Sequence, residues 1–185
     1  MSRTGNAVKK PLQIRGFIFI VGVIGLLLFV YYLLGDESED RIDGAPKHSI
    51  DFALNASGLG KERLAKVVRS FESGRKFIGD GYNVYEIKLI HVSVEELLAD
   101  SCGERQSRFF RGDQLPDSLV DAIAFSRLYL NNCDYAVFPD SGELRSKDLY
   151  GYAISLTYSD DRVYKAELIF VRPSDSMLYF FSGKI

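Results

Sequence analysis

Eighteen consecutive residues, Phe17 to Leu34, carry no charge and no strongly polar side chain, and the chain changes character at both ends of the run. As an α-helix this stretch rises about 27 Å, close to the thickness of a bilayer's hydrocarbon layer. Lipid offers the backbone no hydrogen bonds, so the segment must satisfy its own amides and a helix is expected. Its apolarity on all sides also argues against a tail folded into a soluble core. Tyr31 and Tyr32 fall at the outer end, where amphipathic rings favour the headgroup zone.

Beyond residue 47 the pattern becomes that of a folded domain. Leu59, Leu64, Val67, Val68 and Phe71 share a helical face, which predicts a helix over 59–74 stopped by Gly74. Ahead of it, residues 49–58 suggest a short strand. Tyr85, Ile87 and Leu89 alternate with Glu86 and Lys88, predicting a half-buried strand over 82–92. Ser93 followed three places later by Glu96 is a capping-box start for a short helix. A longer helix is predicted over 115–131, with Leu119, Ile123, Ser126 and Leu130 on one face and Val120, Ala124 and Leu128 beside them. The last third alternates at period two through 150–158 and again through 163–172 and 177–183. Short turns between these runs predict an antiparallel meander. The fold class is therefore a single transmembrane helix plus an α+β domain, its C-terminal β-meander packed in two layers against two or three helices.

Charge assigns the orientation. Arg3, Lys9, Lys10 and Arg15 precede the apolar run without an acid among them, whereas Asp36, Glu37, Glu39, Asp40 and Asp43 follow it against a single Arg41. Basic flanks stay in the cytoplasm, so the N-terminus faces in. The expected organisation is a cytoplasmic tail 1–15, a signal anchor 16–34, an acidic linker 35–47 and an extracytoplasmic domain 48–185, periplasmic in a bacterial host. A linker of that length spans at most about 45 Å. No Ala-x-Ala pattern follows Tyr31-Tyr32-Leu33-Leu34, which favours a retained anchor over a cleaved signal peptide. Gly22 and Gly25 are three apart, not the four of a close helix-pairing motif. Setting aside the four N-terminal cations leaves 19 basic and 25 acidic residues, a net of −6. An acidic outer domain has no electrostatic basis for binding nucleic acid.

Two resemblances bear on this plan. The stretch KKPLQIRGFIFIVGVIG resembles the start of type IV pilin-like proteins, with Gly16 and Phe17 where such leaders are cut. It departs from them at Val21, where they carry an acid, and at Gly35, Gly44 and Pro46, which interrupt a long helix. The order of helices before sheet is similar in architecture to nuclear-transport-factor-like domains. Inner-membrane assembly factors of type IV secretion systems carry such domains behind an anchor, which implies an assembly role.

Candidate chemistry is sparse. His48 and His91 are the only histidines, and no cluster has metal-ligand spacing. There is no nucleophile elbow and no phosphate-binding glycine loop, so neither catalytic residues nor a cofactor are expected. Asn55-Ala56-Ser57 is a glycosylation sequon only in a eukaryotic secretory host. The most distinctive polar stretch is CGERQSRFFRGDQ, where Arg105, Arg108 and Arg111 surround Phe109 and Phe110. Planar guanidinium forks beside aromatic rings are typical of contact hot spots, and these five residues form the candidate partner contact. The alternative places the rings in the core and leaves the arginines in water. Arg111-Gly112-Asp113 is expected to be a turn, and Phe170, Tyr179, Phe180 and Phe181 a core covered by a helix.

The functional expectation is a membrane-anchored interaction domain, an accessory or assembly subunit among other membrane proteins, with self-association as an option. The competing expectation is an anchored small-molecule or glycan-binding domain, extending to a hydrolase, with a pocket lined by Tyr150, Tyr152 or Phe170. Cys102 and Cys133 form the candidate disulfide on the oxidising side of the membrane. A thiol assay on the protein isolated without reductant is expected to find no free thiol. Cys133→Ser is then expected to lower stability by about 3–4 kcal/mol in denaturant titrations. Two titratable thiols in the native protein would remove the bond.

Overall fold

The acidic stretch expected as a linker is folded from Asp40 onward. Two short strands, β1 (Arg41–Ile42) and β2 (Ala45–Pro46), pair as a hairpin. Its turn residues Asp43 and Gly44 both have positive φ, 49° and 86°, as a two-residue hairpin turn of right-handed strands requires. Asp-Gly between Ile42 and Ala45 was the missed signal. Helix α1 (Lys47–Ala56) follows at once, burying Ile50, Ala53 and Leu54 at i, i+3 and i+4. The strand expected near residue 50 is thus a helix. Ser57 closes it by donating its hydroxyl to the Leu54 carbonyl at 2.6 Å, and Gly58 turns the chain at φ 77°.

The helix expected over 59–74 is strand β3 (Leu64–Glu72), entered through a 3₁₀ turn at Lys61–Arg63. Its antiparallel pairing with β4 (Gly81–Leu89) slips between Leu64 and Lys66 and again between Val67 and Arg69. Each bulge adds a residue, so the inward positions become Leu64, Val67 and Ser70, a spacing of three. That spacing imitates a helical face, which explains the error.

The computed structural model describes residues 23–25, 40–73, 81–99, 109–130, 138–140 and 142–184. It divides the chain into Met1–Glu39 and Asp40–Ile185. Val23–Gly25 are helical, and the rest of the expected anchor lies outside the described residues. Among the described residues no helix is long and apolar enough to cross a membrane.

Helix α2 (Val94–Leu98) starts as its sequence predicts, with the Glu96 amide donating to the Ser93 hydroxyl at 3.1 Å. The two-residue strand β5 (Phe110–Arg111) precedes helix α3 (Asp117–Leu130). The expected meander follows as β6 (Tyr150–Ser159), β7 (Arg162–Arg172) and β8 (Met177–Lys184). The sheet order is β3-β4-β8-β7-β6-β5, with every neighbouring pair antiparallel.

Both faces of the sheet are covered, so the domain has three layers instead of the expected two. On one face, α1 and α2 enclose Tyr85, Ile87, Ile169, Leu178 and Phe180. Phe180 stacks on Tyr85 at 5.9 Å and meets Phe52 of α1 edge-on at 6.0 Å. On the other face, α3 and the segment around Phe138 enclose Val84, Leu168, Phe170, Tyr179 and Phe181. Phe181 meets Phe125 edge-on at 6.4 Å, and Phe170 meets Phe138 at 5.5 Å. Burying rings of this size stabilises the fold by about 1.5–3 kcal/mol each.

Gly151 lies against the Phe170 ring of the second core. A Cβ there would lie 2.4 Å from Cε1 of Phe170, whose ring is fully buried and cannot swing away. Gly151→Ala is expected to cost about 1–3 kcal/mol in urea unfolding. Adding Phe170→Leu should recover part of that loss, whereas an unchanged midpoint for the single variant would contradict the packing.

Candidate functional site

The sequence-predicted contact residues separate in the fold. Phe109 is buried in the first core, edge-on to Tyr152 at 5.3 Å. Phe110, the next residue, points the other way and is 44 % exposed. Strand alternation dictates this division, since β5 pairs Phe110 with Gly151 and Arg111 with Tyr150. Arg111 does not present an open fork. Its Nε and Nη2 donate to the two carboxylate oxygens of Asp113 at 2.6 and 3.2 Å. That guanidinium holds the Asp113 carboxyl below its usual range. The Arg-Gly-Asp tripeptide is a turn closed on itself, as expected, and the Gly112 amide donates to the Leu149 carbonyl at 2.8 Å. Arg105, Arg108, Cys102 and Cys133 lie outside the described residues.

Phe110 stands at the head of a longer feature. β5 pairs with Tyr150 and Gly151, and among the described residues the strand pairing of Ala153–Ser159 is with β7 alone. The ten residues of β6, YGYAISLTYS, contain no charge and no proline. Thr157 and Tyr158 are exposed, while Ala153, Ile154, Ser155 and Leu156 are half-buried. The opposite edge is defended. β3 carries Lys66, Arg69 and Glu72, and its Val67 amide donates to the Asp43 carboxylate of the β1–β2 hairpin at 3.0 Å.

A second polar constellation sits over the β7–β8 turn, and the sequence did not point to it. Arg172 donates from Nε to Asp175 at 3.0 Å and from Nη2 to the Tyr179 hydroxyl at 2.6 Å, and pairs through Nη1 with Glu143 at 3.6 Å. Lys88 donates to the Asp175 carbonyl. Every arm of the guanidinium is engaged, so this arrangement pins the turn and the Glu143–Arg145 segment onto the sheet. Burial pushes the Tyr179 hydroxyl up to about 12, so it stays protonated across the physiological range. Arg172-Pro-Ser-Asp175 was the readable trace, a cation three residues before an acid across a proline turn.

Glu86 lies beside Tyr179 in the cross-strand register, and its Oε2 is 3.4 Å from Arg69 Nε. That oxygen is buried without a hydrogen bond among the described residues. Tyr150, Tyr152 and Phe170 are all buried, and the Tyr152 hydroxyl donates to the Ala56 carbonyl at 3.0 Å. The pocket wall expected from these three rings is therefore core. A half-exposed polar row remains on the first face: Glu72, Asn83, Ser182, Glu167 and Ser155 are successive cross-strand neighbours. His48 and His91 are both exposed, and no metal-binding cluster occurs among the described residues. Comparison with protein-family models, curated proteins and solved structures found no match.

The pH dependence of stability follows from Glu86. Burial raises its carboxyl above the ordinary 4.5, against the opposing pull of Arg69 and Arg172. Between the unfolded and folded values the native state holds more protons than the unfolded chain, so stability falls as pH rises through that window. Glu86→Gln is expected to remove this slope. Relative to the parent, the variant should be more favourable near pH 7.5 than near pH 4.5 in chemical denaturation. A difference independent of pH would show that the carboxyl is not perturbed.

Proposed function

We propose that the chain is a membrane-anchored interaction protein, with residues 1–15 in the cytoplasm, 16–34 spanning the bilayer and the α+β unit on the far side. In a bacterial host that side is the periplasm. The unit acts as an accessory or assembly subunit of a membrane complex, either a secretion or pilus-type machine or a respiratory or transport complex. The observation that carries this reading is the exposed ring of Phe110 at the head of β6, an uncharged strand that among the described residues pairs beyond Tyr152 with β7 alone. Soluble domains ordinarily protect such edges with charge, proline or cover. An exposed aromatic anchor beside such a strand offers apolar area to another protein.

The Arg111 fork contributes little directly, because Asp113 already uses it. The disulfide between Cys102 and Cys133 belongs to the same proposal, as does the contribution of Arg105 and Arg108 to the contact. A pocket between Tyr150, Tyr152 and Phe170 does not support the ligand-binding alternative, since these residues fill the two cores.

Native mass spectrometry of the full-length protein, extracted from its own membrane in mild detergent, tests the reading. A stoichiometric complex with other membrane proteins is expected. Phe110→Ala should weaken that complex by about tenfold or more while leaving the unfolding midpoint within about 0.5 kcal/mol of the parent. A lone monomer or homodimer that retains a small-molecule mass would favour the binding-domain alternative.

A further inference from the structure

We infer that Glu86 and Tyr179 form a proton-sensitive lock on the β7–β8 turn: ionised Glu86 accepts the Tyr179 hydroxyl proton in a hydrogen bond, directly or across one water, and protonated Glu86 gives that bond up. The lock belongs to the fold and does not depend on the interaction reading; only its consequence for Phe110 rests on that reading.

Each of the two groups has hydrogen-bonding capacity left over. Arg172 Nη2 donates to the Tyr179 oxygen at 2.6 Å, so the oxygen is an acceptor there and the phenol still has its own proton to give. Glu86 presents the converse. Its Oε2 is buried, lies 3.4 Å from Arg69 Nε and accepts no hydrogen bond among the described residues. The two residues are direct cross-strand partners in β4 and β8, so their side chains leave the sheet side by side on the face that α3 covers. A buried donor and a buried acceptor so placed are each costly unless they meet.

The surrounding charges set when Glu86 holds a proton. β3 brings Arg69 opposite Glu86 and Lys66 opposite Lys88, and Lys88 of β4 donates to the Asp175 carbonyl. The β7–β8 turn brings Arg172 and Asp175, which are paired with each other, and the Glu143–Arg145 turn brings Glu143. Over this face, α3 supplies Arg127, which donates to the Pro139 carbonyl at 2.5 Å. Asp140 accepts from the Gly142 and Glu143 amides at 2.7 and 2.9 Å. Burial raises the Glu86 carboxyl, Arg69 and Arg172 pull it back, and Asp175 adds to the rise. Its proton is therefore gained and lost above the ordinary carboxylate range, while Tyr179, pushed up to about 12 by burial, remains a donor throughout.

The lock acts through Arg172. A phenol that donates to a carboxylate becomes a better acceptor, so ionised Glu86 strengthens the Arg172–Tyr179 bond. Arg172 also pairs with Glu143 at 3.6 Å, and the turn that begins there lies against the backbone of Gly112. A Cβ on Gly112 would stand 2.4 and 2.6 Å from the Ser146 and Leu144 carbonyl oxygens. Gly112 is two residues beyond Phe110 in the chain. Proton uptake by Glu86 thus loosens the support of the segment that presents Phe110. Global stability moves the other way, because protonation also removes a buried charge, so the local loosening is separable from unfolding.

The test uses the full chain in detergent micelles, isotope-labelled at tyrosine Cζ and glutamate Cδ and titrated by NMR from about pH 4 to about pH 8. The Tyr179 Cζ resonance is expected to shift at the Glu86 midpoint while the phenol stays protonated, and the step should vanish in Glu86→Gln. In Tyr179→Phe the Glu86 midpoint should rise by about one pH unit, because the ionised carboxyl has lost a donor. Amide exchange corrected for the intrinsic effect of pH reads the hold on the turns. Protection of the Leu144, Ser146 and Ser176 amides, which donate to the Asp140, Glu143 and Pro173 carbonyls, should fall by about threefold or more on protonation. In Glu86→Gln that protection should not change with pH.

A Tyr179 resonance indifferent to Glu86, or a Glu86 midpoint that does not rise in Tyr179→Phe, would overturn the lock. Turn protection that ignores the Glu86 proton would overturn it as well, since the bond would then exert no hold. All of these readouts are taken on the protein alone. A chain that forms no complex in its own membrane would remove the subunit reading and leave a lock that passes them standing.

Discussion

The fold depends on one strand being enclosed on four sides. β8 has β4 along one edge and β7 along the other, and its residues Met177 to Phe181 are all buried. Leu178 and Phe180 enter one core, while Met177, Tyr179 and Phe181 enter the other. Consecutive large side chains in an extended strand must point to opposite faces, so this sequence is compatible with folding only if both faces are covered. That requirement places α1 and α2 on one side and α3 with the Phe138 segment on the other. It also explains why Arg172 clamps the turn that leads into β8: displacing that turn would shift the strand on which both cores are built.

Much of this was legible from periodicity. Period-two alternation located β4, β6, β7 and β8, and the Ser93/Glu96 spacing located the start of α2. The helix over 117–130 was visible from its apolar face. Phe170, Tyr179 and Phe181 were expected beneath the helix that holds Leu119 to Leu130 and lie there, whereas Phe180 is on the opposite face, covered by α1. The failures have identifiable physical causes. Two bulges turned the period of β3 from two into three, and period three belongs to helices. The Asp43-Gly44 turn was hidden in an acidic stretch whose composition suggested a linker. The second covering layer was missed because Ile50, Ala53 and Leu54 are too few to mark a ten-residue helix in a window that also holds polar residues.

The candidate site was only partly legible. Alternation permits one of two adjacent phenylalanines to enter the core, and the pairing of Phe110 with Gly151 determines which one stays outside. The self-pairing of Arg111 with Asp113 depends on a 3₁₀ turn that the sequence did not specify. The marginal place of β6 is a property of sheet order, because β8 is inserted between β4 and β7 and among the described residues only the two-residue β5 lies beyond the meander's first strand. Composition alone showed that β6 lacks charge. Only topology gives that absence a meaning, since an uncharged central strand is ordinary and an uncharged edge is not.

Residue-resolved hydrogen exchange on the isolated, monomeric full-length protein tests most directly that a doubly enclosed centre presents one open edge. The account predicts that amides of β8 exchange only through global unfolding and are the slowest in the chain. The outward-facing amides of Ala153 to Ser159 should exchange orders of magnitude faster, through local fluctuations. Equal protection of those amides and of β8 in the monomer would contradict the account, because it would mean that the β6 edge is already covered by the chain itself.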